Sequence, residues 1–125
     1  MPWKPRTVLI VDDDAAVRSS LKFALEAEGL EVRLYDGPVA LLAEKNLPLR
    51  TGLIVDDRMP LMDGLELVMS LNARDTQLPT ILITDHATQG LRGRAAKLGV
   101  RQVLEKPLSG SALVEGIRSI LASPG

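Results

Sequence analysis

Short unbroken apolar runs alternate along this chain with longer stretches in which apolar residues recur every three or four positions. The first run, Thr7-Val8-Leu9-Ile10-Val11, is rich in β-branched residues and predicts a strand buried on both faces, the kind that parallel sheets contain. Ala15 to Glu28 follows with Val17, Leu21, Ala24 and Leu25 on one helical face, and Gly29 supplies the stop. Glu31 to Tyr35 alternates polar and apolar, as a half-exposed edge strand does. Pro38 to Lys45 reads as a short helix and Pro48 to Gly52 as a turn. Leu53-Ile54-Val55 is a third buried strand running into Asp56-Asp57. Pro60 and Gly64 bracket a loop from Arg58 to Gly64, and Leu65 to Ala73 is helical. Thr80 to Thr84 makes a fourth strand after Pro79. The helix from Thr88 to Leu98 is weakened by Gly90 and Gly93, each costing about 1 kcal/mol relative to Ala. Arg101 to Leu104 is the fifth strand and Ser111 to Leu121 the last helix, with Ser109 or Gly110 near its N-cap.

Strands alternating with helices imply an α/β fold: a doubly wound, five-stranded parallel sheet with right-handed crossovers and five helices shared between its two faces. The 125 residues are the size of one domain, and no repeat or linker divides 1–125. Apolar residues make up 46% but aromatics only 2%, so the core must be built from Val, Leu, Ile and Ala. The absence of cysteine excludes a disulfide framework, a thiol nucleophile and a thiolate metal site. Lys and Arg total 15 against 16 for Asp and Glu, which is no electrostatic footprint for wrapping nucleic acid. No apolar run approaches the length of a membrane span, and the first residues lack the cleavage region of a signal peptide. The expectation is a cytoplasmic protein with no membrane association.

Polar chemistry collects where the strands end. The first strand ends in Asp12-Asp13-Asp14, the third in Asp56-Asp57, the fourth in Thr84-Asp85, and the fifth leads to Lys106-Pro107. In an open parallel sheet, ligands bind outside those carboxyl ends, where the strand order reverses. Any one of these residues alone is an ordinary turn or cap residue; their coincidence at four strand ends is the signal. Crowded carboxylates repel unless protons or a cation hold them, and hard oxygen ligands without Cys or a His pair favour magnesium over zinc. A carboxylate facing magnesium, an ammonium and a hydroxyl is equipped to receive a phosphoryl group, with the cations neutralising the oxygens of the group in transfer.

Leu9-Ile10-Val11-Asp12-Asp13-Asp14, Val55-Asp56-Asp57-Arg58-Met59-Pro60 with Asp63-Gly64, Ile83-Thr84 and Glu105-Lys106-Pro107-Leu108 together resemble the motifs of bacterial response-regulator receiver domains. The match covers nearly the whole chain and looks closest to the FixJ and NarL branch. The resemblance implies a flavodoxin-like sheet of order 2-1-3-4-5 and a cis peptide before Pro107. It implies that Asp56 is phosphorylated by a sensor histidine kinase or phosphotransfer partner. Asp12, Asp13, Asp56 and the backbone carbonyl of Arg58 would hold Mg2+, Thr84 would bond a phosphoryl oxygen, and Lys106 would pair with the phosphate. Output through the surface of the fourth helix, fifth strand and fifth helix, and homodimerisation on phosphorylation, belong to the same implication. A receiver modifies itself and turns over no separate substrate. Within the doublet, strand alternation turns Asp56 toward the crevice and Asp57 toward solvent.

Two positions depart from the family pattern. Val103 stands where receivers usually carry an aromatic residue that turns inward on switching. Asp85 replaces a small residue and is expected to crowd or repel an incoming phosphate, unless its side chain turns to solvent. His86, the only histidine, is expected to be exposed, and Arg92, Arg94, Lys97 and Arg101 to form a solvated basic face. Two alternatives stay open. One is a pseudo-receiver, a binding module of this fold that is not phosphorylated. The other is a haloacid-dehalogenase-type phosphatase with Asp12 as nucleophile, which Ala16 and the short chain disfavour.

Overall fold

The computed structural model describes residues 7–47 and 51–122. Strands β1 (Thr7–Val11), β2 (Glu31–Tyr35), β3 (Thr51–Asp56), β4 (Thr80–Thr84) and β5 (Gln102–Glu105) alternate with helices α1 (Ala15–Glu26), α2 (Pro38–Leu42), α3 (Gly64–Ala73), α4 (Gln89–Lys97) and α5 (Gly110–Ala122). All neighbouring strands run parallel in the order β2-β1-β3-β4-β5, the expected topology. β1, β3 and β4 are buried at every position, because helices cover both faces of the central strands. β2, on the sheet edge, is largely open.

The sheet separates two apolar layers. On one side Leu9, Val11, Leu53, Val55 and Leu82 pack against Leu41 of α2, Leu65, Leu67, Val68 and Leu71 of α3, and Leu91 and Ala95 of α4. On the other, Val8, Ile10, Ile54, Ile81 and Ile83 pack against Leu21 and Leu25 of α1 and Leu113 and Ile117 of α5. Full burial of each such side chain stabilises the fold by about 1.5–3 kcal/mol relative to exposure. Small branched residues fill both layers, as the scarcity of aromatics requires.

Element ends differ from the sequence expectation for local reasons. β3 begins at Thr51, so Thr51 and Gly52 are strand rather than turn: they pair with Thr7 and Val8 of β1. Residues 48–50 of that expected turn lie outside the described residues. α1 stops at Glu26, where the Glu28 and Gly29 N–H groups bond back three residues to the Leu25 and Glu26 carbonyls and Gly29 takes φ 85°. α2 ends at Leu42, three residues short of expectation. α3 starts at Gly64 because Asp63 and Glu66 form a reciprocal capping box, each bonding the other's backbone N–H at 2.8 Å. β5 is shifted one residue on, to Gln102–Glu105. Ser109 caps α5 by accepting the Ala112 N–H at 3.1 Å.

Candidate functional site

Register sets the site. Val11 pairs with Val55, so Asp12 follows β1 beside Asp56 at the end of β3. Asp56 in turn pairs with Ile83 and Thr84 with Glu105, which brings Thr84 and then Lys106 to the same rim. The loop after β3 is tied down close by: the Asp57 N–H donates to the Ile83 carbonyl at 2.8 Å and the Gly64 N–H to the Asp57 carbonyl at 3.0 Å. A Cβ on Gly64 would stand 2.5 Å from the Asp56 carbonyl oxygen, so only glycine lets α3 start this close to the strand end. The Lys106–Pro107 peptide is cis, as the resemblance implied.

Lys106 Nζ lies 3.0 Å from Asp56 Oδ1. One carboxylate oxygen from each of Asp12, Asp13 and Asp56 falls within 4.8 Å of the others. Asp12 and Asp56 are buried and Asp13 is exposed, so the cluster opens to solvent on one side. Asp12 Oδ1 accepts the Asp14 N–H at 2.9 Å, whereas Asp12 Oδ2 is buried without a hydrogen-bond partner. A buried carboxylate oxygen left bare beside two other carboxylates fits a divalent cation, and an all-oxygen set fits magnesium. Asp14 serves differently: its side chain caps α1 by accepting the Ala16 and Val17 N–H groups.

Burial pushes the Asp12 carboxyl up to about 6, with the Asp14 N–H opposing and the Asp56 charge adding to the rise. Burial also raises Asp56, against the pull of Lys106, and the charges of Asp13 and Asp85 reinforce it. For Lys106, burial acts downward but is outweighed by Asp56, Asp12 and Asp85, which hold the ammonium above its usual value.

Thr84 and the β4–α4 loop form a second network. The buried Thr84 hydroxyl lies 3.2 Å from Asp57 Oδ2 and 3.3 Å from the His86 carbonyl oxygen, and it accepts the His86 N–H at 3.2 Å. Glu105 holds the next residue, accepting the Ala87 N–H at 3.0 Å. Asp57 is thus half-buried and engaged, where the sequence reading had it solvated. The overlooked signal is register: with Asp56 opposite Ile83, Asp57 comes level with Thr84 on the same side of the sheet.

Asp85 and the His86 side chain are exposed, as is Arg58 on the loop after β3. Arg92, Arg94, Lys97 and Arg101 form the expected exposed basic face. The Arg92 guanidinium also reaches back to the Ala87 and Val103 carbonyl oxygens, both at 3.4 Å. Val103 packs partly buried against the α3/α4 layer and borders an open groove of about 370 Å³ between α4 and β5. Leu61 stands almost wholly exposed in the loop after β3 with φ 74°, the left-handed region. Among the described residues, no helix is long and apolar enough to cross a membrane.

The family pattern of the response regulator receiver domain matches residues 8–118. The chain is 43% identical over 115 residues to the transcriptional regulatory protein FixJ of Azorhizobium caulinodans, covering 91% of this chain and 54% of that protein. It is 38% identical to FixJ of Rhizobium meliloti, covering 89% and 54%. The chain therefore spans about half the length of these curated relatives. Among solved structures it is similar to the crystal structure of FixJ-N, with a TM-score of 0.84 and 32% identity over 98% of each chain. It is likewise similar to a putative response regulator from Chloroflexus aurantiacus, with a TM-score of 0.86 and 33% identity over 96% of this chain and all of that one.

Proposed function

Because the chain belongs to the response regulator receiver domain family, we propose that Asp56 is the residue on which its phosphoryl group is carried. A receiver is a phosphorylation-dependent signalling module, a phosphoacceptor rather than an enzyme with a separate substrate, and its family implies a histidine kinase or phosphotransfer protein as partner. The observation that carries the assignment is the Asp56 carboxylate bonded to Lys106 with the Asp12 and Asp13 carboxylates at its side.

An Asp56 oxygen attacks the phosphorus of a phosphohistidine, an acyl phosphate bond forms, and the phosphorus–nitrogen bond breaks with the electron pair leaving on the imidazole. Asp12, Asp13, Asp56 and the Arg58 carbonyl would hold Mg2+, which supplies charge neutralisation for the phosphoryl oxygens when bound. Lys106 trades its bond to the carboxylate for one to the new phosphate, and the Thr84 hydroxyl donates to a second phosphoryl oxygen. By the names of its relatives, the output of the whole protein is control of transcription, delivered through the α4-β5-α5 surface or a homodimer formed there, without nucleic-acid contact by this domain. The exposed basic face of α4 supports that choice of surface.

Incubation with acetyl phosphate and magnesium, followed by peptide mapping, tests the assignment. The label is expected on the peptide containing Asp56 and is lost in Asp56→Asn. A label on Asp12 would instead favour phosphatase-type chemistry, and a folded chain that takes no label would favour an unphosphorylated binding module.

A further inference from the structure

The Thr84 hydroxyl has one proton to give. In the resting chain its two candidate acceptors are Asp57 Oδ2 at 3.2 Å and the His86 carbonyl at 3.3 Å, and a carboxylate is the stronger of these. A phosphoryl group on Asp56 needs that same proton. The Asp57 backbone is held in place, its N–H bonded to Ile83 and its carbonyl to Gly64, so its carboxylate stays behind as the hydroxyl turns to Asp56 unless it rotates about its own side-chain bonds. From these contacts we infer that Asp57 is a positioning residue for Thr84: it competes with the phosphoryl group for the hydroxyl and so sets how readily the switch turns on. The inference rests on Asp56 being the phosphoacceptor, and it gives the second carboxylate of the doublet a role distinct from the first.

The arrangement also joins the acceptor strand to the loop that leads into α4. With its proton on Asp57, the Thr84 hydroxyl accepts the His86 N–H on its other side. Withdrawing the hydroxyl from Asp57 therefore disturbs the turn from which α4 starts. A chain with an apolar residue at position 57 would have no such restraint.

A double-mutant cycle read by fluoroberyllate binding with magnesium tests this. Asp57→Ala should tighten binding by about five- to tenfold, the ratio that one net hydrogen bond commands. Asp57→Asn keeps an acceptor oxygen and should fall between the parent and Asp57→Ala. In a Thr84→Ala background the Asp57→Ala effect should vanish. NMR of the free protein gives an independent readout: the Thr84 methyl couplings should show one rotamer in the parent and averaging in Asp57→Ala. Equal tightening by Asp57→Ala with and without the Thr84 hydroxyl would overturn the inference in favour of plain charge removal, as would unchanged Thr84 couplings. A parent chain that ignores fluoroberyllate would instead overturn the phosphoacceptor assignment itself, and the inference with it.

Discussion

Asp85 stands one residue beyond Thr84, exposed to solvent, yet its charge reaches both Asp56 and Lys106 and raises the proton affinity of each. The same charge opposes any anion that approaches the acceptor. Asp85→Ala should accelerate phosphorylation by acetyl phosphate about two- to fivefold, the rate equivalent of a solvent-screened interaction of up to ~1 kcal/mol. Timed labelling of the purified chain checks this, and an unchanged rate removes Asp85 from the account. At this scale the sequence was informative where a residue type has few uses. Lys106 before Pro107 and Asp12-Asp13 after an apolar strand came together as expected. Asp57 was misread because alternation along one strand says which face a side chain takes, but not what the neighbouring strand holds at the same level.

Among the elements, α4 is the least secured by its own sequence. It holds Gly90 and Gly93, buries only Leu91 and Ala95, and exposes its basic residues. A Cβ at Gly93 would meet nothing within 4 Å, so its glycine costs helix stability without serving packing. Gly93→Ala should stabilise the domain by about 1 kcal/mol and slow amide exchange across α4. Exchange measured by NMR at matched stability reads this, and unchanged protection across α4 would show that the glycine does not govern its opening. The strands were legible because a parallel strand covered on both faces has to be apolar throughout. Their ends were less so: β3 is extended to Thr51 by pairing with β1, a contact to residues more than forty positions away. Helix ends were fixed by caps such as Asp63–Glu66, which propensity alone does not locate to the residue.

For the molecule as a whole, the acidic cluster links folding to pH and to magnesium. Burial lifts the Asp12 carboxyl from its ordinary 3.8 to about 6, and Asp56 moves in the same direction. Between those values the folded chain binds more protons than the unfolded one, so without magnesium stability falls as pH rises through the window and levels off above it. Magnesium competes for the same oxygens, so the stabilisation it confers should be small at about pH 5 and full at about pH 8. Thermal unfolding with and without magnesium across that range checks the sign. An equal magnesium effect at both ends would mean that the cation is not held by these carboxylates.

Among the described residues the two apolar layers share no buried side chain, since each buried apolar strand residue belongs to one or the other. The sheet is therefore a bulkhead. Leu91 and Ala95 beneath α4 pack on one side of it and the seam of Leu21, Leu25, Leu113 and Ile117 on the other, so the two flanks are seated on opposite faces of one wall.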